Sequence, residues 1–178
     1  LRCITSGSNN VSIGYLSGLS NSTGADNTFV GANSGQATTT GGQNTAIGKC
    51  ALVTNTTASN NVAIGEISLR VNTTGANNTA IGRGSLTANT TGTENVAVGS
   101  GALDSNTTAG CNVSIGHGSM GDNTEGHSNV AIGRSTLGSN TTADKNTAIG
   151  HFALAFNTTG TENVAVGNQA LCGNTTGN

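Results

Sequence analysis

The side chains in this sequence that could carry out chemistry are few and far apart. Its cysteines are Cys3, Cys50, Cys111 and Cys172, widely separated along the chain. No C-x-x-C pair of the kind that holds zinc occurs. The histidines are His117, His127 and His151. The eight Asp and Glu residues stand singly, with no carboxylate partner placed for a general acid and base. Ser and Thr are abundant, but a G-x-S-x-G nucleophile elbow is absent. The glycine-rich calcium repeat G-G-x-G-x-D is absent as well. These residues predict no enzyme, no metal and no cofactor. Asn-x-[ST] triplets at Asn55, Asn72, Asn89, Asn106, Asn140, Asn157 and Asn174 have the form of glycan acceptors. They recur with the repeat described below, so a structural role is expected of them.

Composition narrows the classes further. The 178 residues include 28 Gly, 29 Thr and 25 Asn, with no Pro or Trp. Apolar residues make up 33% and charged residues 8%, against roughly 45–50% and 25% in ordinary soluble domains. A conventional globular core is not expected. The formal net charge of −2 is too small for charge-driven disorder. Six Lys and Arg cannot make a nucleic-acid surface. The apolar runs fall far short of the ~20 residues of a membrane span, so neither nucleic-acid binding nor membrane insertion is expected.

What positions all of these residues is a repeat. The pentapeptide N-[VT]-small-[IV]-G begins at positions 10, 27, 44, 61, 78, 95, 112, 129, 146 and 163, a constant interval of seventeen. The consensus unit is N-[VT]-[AS]-[IV]-G-x-x-[AS]-L-x-x-N-T-T-[GA]-x-x, and its register runs through residues 1–178 as one repeat domain, with a partial coil at 1–9. The chain starts and stops in mid-repeat and has no capping unit of the kind solenoids need for solubility. It therefore reads as a segment of a longer fibre. A unit of this length is too short for a helical repeat. It fits one coil of an all-β parallel solenoid, or β-roll, of about ten coils spaced about 4.8 Å apart. Asn-Val-Ala-Ile-Gly reads as a short strand, [AS]-L-x-x as a second strand or extended segment, and Asn-Thr-Thr-Gly as a turn. At that pitch the cysteines lie several coils apart, beyond disulfide reach. His117 and His151, two coils apart, cannot share one metal ion.

The columns predict a core. Position 4 of the unit is always β-branched: Ile13, Val30, Ile47, Ile64, Ile81, Val98, Ile115, Ile132, Ile149 and Val166. Position 9 holds Leu52, Leu69, Leu86, Leu103, Met120, Leu137, Leu154 and Leu171, with Gly18 and Gly35 as departures. Both columns are expected inside. Position 3 is Ala or Ser except for Phe29. Small residues on the face opposite position 4 suggest a neighbouring chain pressed against them. Alternatively, position 3 lines a very thin interior while positions 2 and 4 face a partner. Both readings imply an oligomer. Position 1 is Asn in every unit, at Asn10, Asn27, Asn44, Asn61, Asn78, Asn95, Asn112, Asn129, Asn146 and Asn163. Stacked amides of this kind can form a ladder along the axis or bond the local backbone. Chemical variety is confined mainly to positions 6, 7, 10, 11, 16 and 17. There, Tyr15, Leu16, Phe152 and Phe156 are candidate anchors for a glycan or protein receptor, or else gap-filling residues between chains.

At the level of N-V-A-I-G-x-x-[AS]-L the chain resembles the head repeats of YadA-like trimeric autotransporter adhesins. The longer N-T-A-I-G-x-x-A-L-x-x-N-T-T-G unit is similar to repeats of phage tail-fibre-like proteins and bacterial surface fibres. The resemblance implies a left-handed β-roll, a homotrimer about a common axis, an extracellular place on a cell or virion surface, and attachment to a surface receptor or glycan. The repeat here is longer than the adhesin unit, and the extra residues fall in the Asn-Thr-Thr-Gly turn. Two other classes fit the pattern: an ice-binding solenoid with Thr and Asn ladders, and a subunit of a self-assembling filament or sheath.

Overall fold

A computed structural model describes residues 5–178; Leu1 and Cys3 of the partial first coil lie outside the described residues. Each repeat contributes one three-residue strand. These are β1 (Val11–Ile13), β2 (Thr28–Val30), β3 (Thr45–Ile47), β4 (Val62–Ile64), β5 (Thr79–Ile81), β6 (Val96–Val98), β7 (Val113–Ile115), β8 (Val130–Ile132), β9 (Thr147–Ile149) and β10 (Val164–Val166). They form one parallel sheet in sequential order. Pairing joins like position to like position, as in Thr79↔Val96, Ala80↔Ala97 and Ile81↔Val98. The fold is an all-β parallel solenoid with one repeat per coil, and no helix occurs among the described residues.

The rest of the coil is turn. The [AS]-L-x-x stretch, expected to be extended, is not a strand. Its Leu sits in the left-handed region, as at Leu86 (φ 51°) and Leu103 (φ 51°). Positions 7 and 17 take the same conformation, as at Phe152 (φ 56°) and Glu94 (φ 60°). Three such positions per coil reverse the chain within a single repeat. Each costs roughly 1–2 kcal/mol for a side chain other than Gly, which stacking must outweigh. Position 5 is stricter still. Gly82 has φ 130°, and a Cβ there would lie 2.6 Å from the Gly99 carbonyl carbon in the next coil. Only glycine allows the coils to close to hydrogen-bonding distance at this corner.

The interior is thinner than the apolar columns suggested. Ala46, Ala63, Ala80, Ala97, Ala131 and Ala148 at position 3 are fully buried against Leu52, Leu69, Leu86, Leu103, Met120, Leu137 and Leu154. Position 4 points the other way. Ile13 (61%), Ile47, Ile81, Ile115, Ile149 (38%) and Val166 (67%) are exposed, and Val30, Ile64, Val98 and Ile132 are half-buried. The expectation that position 4 forms the core is therefore corrected. So short a coil has room for one column of large side chains, and the left-handed position-9 Leu takes it. What remains across from the strand admits only Ala or Ser. The close packing inferred for position 3 is thus with the chain's own coil. Leu171, expected in the core, is 51% exposed in the last described coil.

The departures near the start compensate one another. Gly18 and Gly35 remove the Leu side chain from two consecutive coils. Phe29, at the otherwise small position 3, fills the space at Gly35 and is fully buried. A Cβ on Gly35 would collide with the Phe29 ring. Since Gly35 already has the left-handed φ of 57° that Leu52 adopts at 53°, the standard pair should fit the same backbone. Phe29→Ala is expected to cost about 3–5 kcal/mol. Gly35→Leu alone should also destabilise by overpacking, whereas the double variant should recover most of the loss. Chemical denaturation of the four proteins of this cycle checks the coupling.

Asparagine occupies the remaining interior in two ladders. In the first, each position-1 backbone N–H donates to the Oδ1 one coil back, as Asn78 does to Asn61 (3.0 Å) and Asn112 to Asn95 (3.1 Å). In the second, the position-12 Nδ2 donates to the preceding Oδ1, as Asn89 does to Asn72 (2.8 Å). The ladders converge on one acceptor per coil. The Gly92 carbonyl takes Asn78 Nδ2 (2.8 Å) and Asn89 Nδ2 (3.0 Å), and Ala58 takes Asn44 (2.9 Å) and Asn55 (3.1 Å). A third ladder runs outside them, where position-13 hydroxyls such as Thr90 Oγ1 donate to the next coil's Thr107 carbonyl (3.0 Å). The second ladder has one break. Position 12 of the second unit is Thr38, whose hydroxyl accepts from Asn55 Nδ2 at 3.4 Å. With no amide there to donate backward, Asn21 Oδ1 is left buried without a partner among the described residues. Thr38→Asn should complete the ladder and raise stability by about 1–2 kcal/mol, read as a higher denaturation midpoint with an unchanged slope.

Candidate functional site

The stacking that builds the rod also disperses its reactive groups. Cys50, Cys111 and Cys172 are free thiols. The Cys111 thiol donates to Glu94 Oε2 at 3.5 Å, and that carboxylate pushes the thiol's pKa up, away from the reactive thiolate. Cys50 Sγ accepts weakly from Asn33 Nδ2 at 3.8 Å. His127 has a local structural role: its Nδ1 accepts the Gly110 N–H at 2.9 Å. Its own N–H donates to Asp144 Oδ1 at 2.6 Å. Side chains at position 16 thus cap the N–H of the same position one coil back, as Ser59 does for Gly42 (3.0 Å). Asp104 has its pKa raised by partial burial, with Asp122 adding to the effect. Among the described residues no group of His, Cys, Asp and Glu could hold a metal ion, and the surface has no pocket.

The seven Asn-x-Thr asparagines named above belong to the position-12 ladder, as does Asn21 of Asn21-Ser22-Thr23, whereas Asn77 of Asn77-Asn78-Thr79 stands exposed at position 17. Asn55, Asn72, Asn89, Asn106, Asn140 and Asn157 are fully buried, and Asn174 is half-buried in the last coil. Their amide nitrogens are engaged in hydrogen bonds. A glycan cannot be attached to such an amide without unstacking the coil.

The aromatic candidates are not brought together. Tyr15 (73% exposed) and half-buried Leu16 lie in the first full coil, while Phe152 and Phe156 lie in the ninth, eight coils away. Phe152 is half-buried and packs against His151, with ring centroids 4.3 Å apart at 54°. Phe156 is 56% exposed. They do not form one binding patch.

The extended feature of the surface is the outer face of the sheet. Positions 2 and 4 of every strand point outward, so Val or Thr stands beside Ile or Val on each rung. The face runs from Val11 (47% exposed) and Ile13 to Val164 (69%) and Val166. Its rungs are about 4.8 Å apart, and the side chains are β-branched and stiff. Such a contiguous apolar surface on a folded chain is a candidate interaction site. Of the two readings of the small position-3 column, the alternative holds for the interior: position 3 lines a thin interior, and positions 2 and 4 lie on the outer face. The first reading, with position 4 as core, does not.

The position-14 threonines are the other regular surface feature. Thr23, Thr40, Thr57, Thr74, Thr91, Thr108, Thr142 and Thr159 are exposed along one edge of the turn. They stand in single file, since the adjacent position-13 hydroxyls are occupied by the next coil's carbonyls. No protein-family model matches the chain, and neither a curated protein nor a solved structure is similar to it.

Proposed function

We propose that the chain is a rigid, non-enzymatic rod segment of an extracellular fibre, in which copies pack side by side through the outer face of the sheet. The observation that carries this reading is the column of β-branched side chains at position 4, exposed or half-buried along the whole rod in a single chain. Covering it removes apolar surface from water at roughly 25 cal/mol per Å². The side chains involved have little rotamer freedom to lose. The resemblance to adhesin heads and tail-fibre repeats favours three copies about one axis, on a cell or virion surface. There the fibre would hold or present a group that binds a receptor or glycan. The hydrogen-bond ladders suit that role, because they repeat without limit along the axis and give a stiff spacer. Ice binding ranks below it. Ordering water needs a two-dimensional array of hydroxyls, and the exposed threonines of the turn form one file.

Light scattering of the chain at micromolar concentration is expected to give three times the 17.3 kDa chain mass. Ile81→Lys with Ile115→Lys should lower that mass while the far-UV spectrum is retained, since both side chains point outward. Ala80→Lys should instead abolish folding, because it places a charge in the closed interior. A monomeric mass for the unaltered chain would defeat the side-by-side packing.

A further inference from the structure

The two borders of the outer sheet face differ in charge. Position 17 lies just before the face and position 6 just after it, so both columns run along the rod beside positions 2 and 4. Both are solvent-exposed, apart from half-buried Ala32. The border at position 17, with the turn at positions 14–16 that leads into it, carries Asp26, Glu94, Glu125, Asp144 and Glu162, five of the eight acidic residues, against Lys145 and His127. The border at position 6 carries Lys49, Arg83 and Arg134, three of the six Lys and Arg, together with His117 and His151, against Glu66 alone. The opposite charges on each border pair along their own column, Arg83 with Glu66 (3.4 Å) and Lys145 with Glu162 (3.3 Å). Each border keeps its excess.

We infer that these borders set the direction in which a second copy docks: parallel, with the acidic border of one chain against the basic border of the next. This inference rests on the side-by-side packing proposed above and adds the charges that fix the parallel arrangement three copies about one axis require. The geometry follows from symmetry. Copies related by rotation about an axis along the rod bring unlike borders together, a heterologous contact. A copy reversed end to end across the same face brings acidic border to acidic border and basic to basic. Strict rung-to-rung pairing is not required. Coils are about 4.8 Å apart, and screening at physiological salt extends over about 8 Å, so each charge senses the neighbouring rungs of the facing column. Opposite fields at the two borders favour the parallel encounter and oppose the reversed one.

The test reverses one border, then both. Lys49→Glu with Arg83→Glu and Arg134→Glu makes both borders acidic, and should weaken association about tenfold or more at low salt. Adding Asp26→Lys, Glu94→Lys and Glu162→Lys exchanges the borders and should restore association. Sedimentation equilibrium reads the mass, and circular dichroism and the melting temperature separate lost association from lost fold. Association of the unaltered chain should weaken as salt rises. If the unaltered chain associates but the one-border variant keeps the same mass, the charge inference fails and the face packing stands. If the one-border variant weakens but the exchanged variant does not recover, the inference also fails, since unlike borders would then be facing with no effect. If the unaltered chain is monomeric, the face packing itself fails.

Discussion

In every coil but the second, where Thr38 replaces an asparagine, two side-chain amides meet a single backbone carbonyl, and the rest of the rod depends on that junction. The position-15 carbonyl lies in the turn, where no strand supplies it a partner. Left alone in the interior it would cost about 1–3 kcal/mol. Asn78 reaches it across the coil and Asn89 from within the turn, so the Gly92 carbonyl is doubly satisfied. The same side chains bond along the axis: Asn89 Nδ2 donates to Asn72 Oδ1 of the coil before, and Asn78 Oδ1 accepts the Asn95 N–H of the coil after. The side chains that close a coil therefore also stack it. Thr38 shows the interdependence from the other side: one missing amide leaves an oxygen unpartnered in the coil below.

This arrangement explains how a chain with so little apolar content folds at all. One Leu per coil and a column of Ala supply a slim hydrophobic core. The rest of the interior is polar, and among the described residues every buried side-chain N or O atom except Asn21 Oδ1 is bonded; such networks are stabilising only when their members are satisfied. Repetition at a fixed interval meets that condition, because each amide faces an identical one. The left-handed backbone at three positions per coil is the cost of turning so tightly. It is tolerated even at Leu86 and Phe152 because the neighbouring coils over-determine the conformation.

A coil this thin has consequences for its surface. Bulky β-branched residues that would fill the core of a wider solenoid are expelled to the outer face of the sheet. Reactive residues are confined to the variable positions and spread along the axis without converging. The molecule offers faces and borders rather than a cleft. The functional reading therefore rests on what covers an apolar stripe and how its flanking charges guide that partner.

Much of the architecture was legible in the residues themselves. Ten pentapeptides at a constant spacing determine coil length, strand position and in-register pairing, because identical units stack only with like on like. The stacked Asn columns and the burial of the position-9 Leu follow from the same repetition. The side of the strand that faces inward was not legible. Period-two alternation separates Ala80 from Ile81 but does not say which points inside, and the usual preference for larger apolar residues in a core gave the wrong side. That choice belongs to the closed coil. The left-handed turn at position 9 carries Leu86 across the interior and leaves space for Ala80 alone. Two further features needed the closed coil: the convergence of both Asn ladders on one carbonyl, and the exchange of the Leu side chain at Gly35 for Phe29. Each depends on distances between residues that only the folded chain brings together.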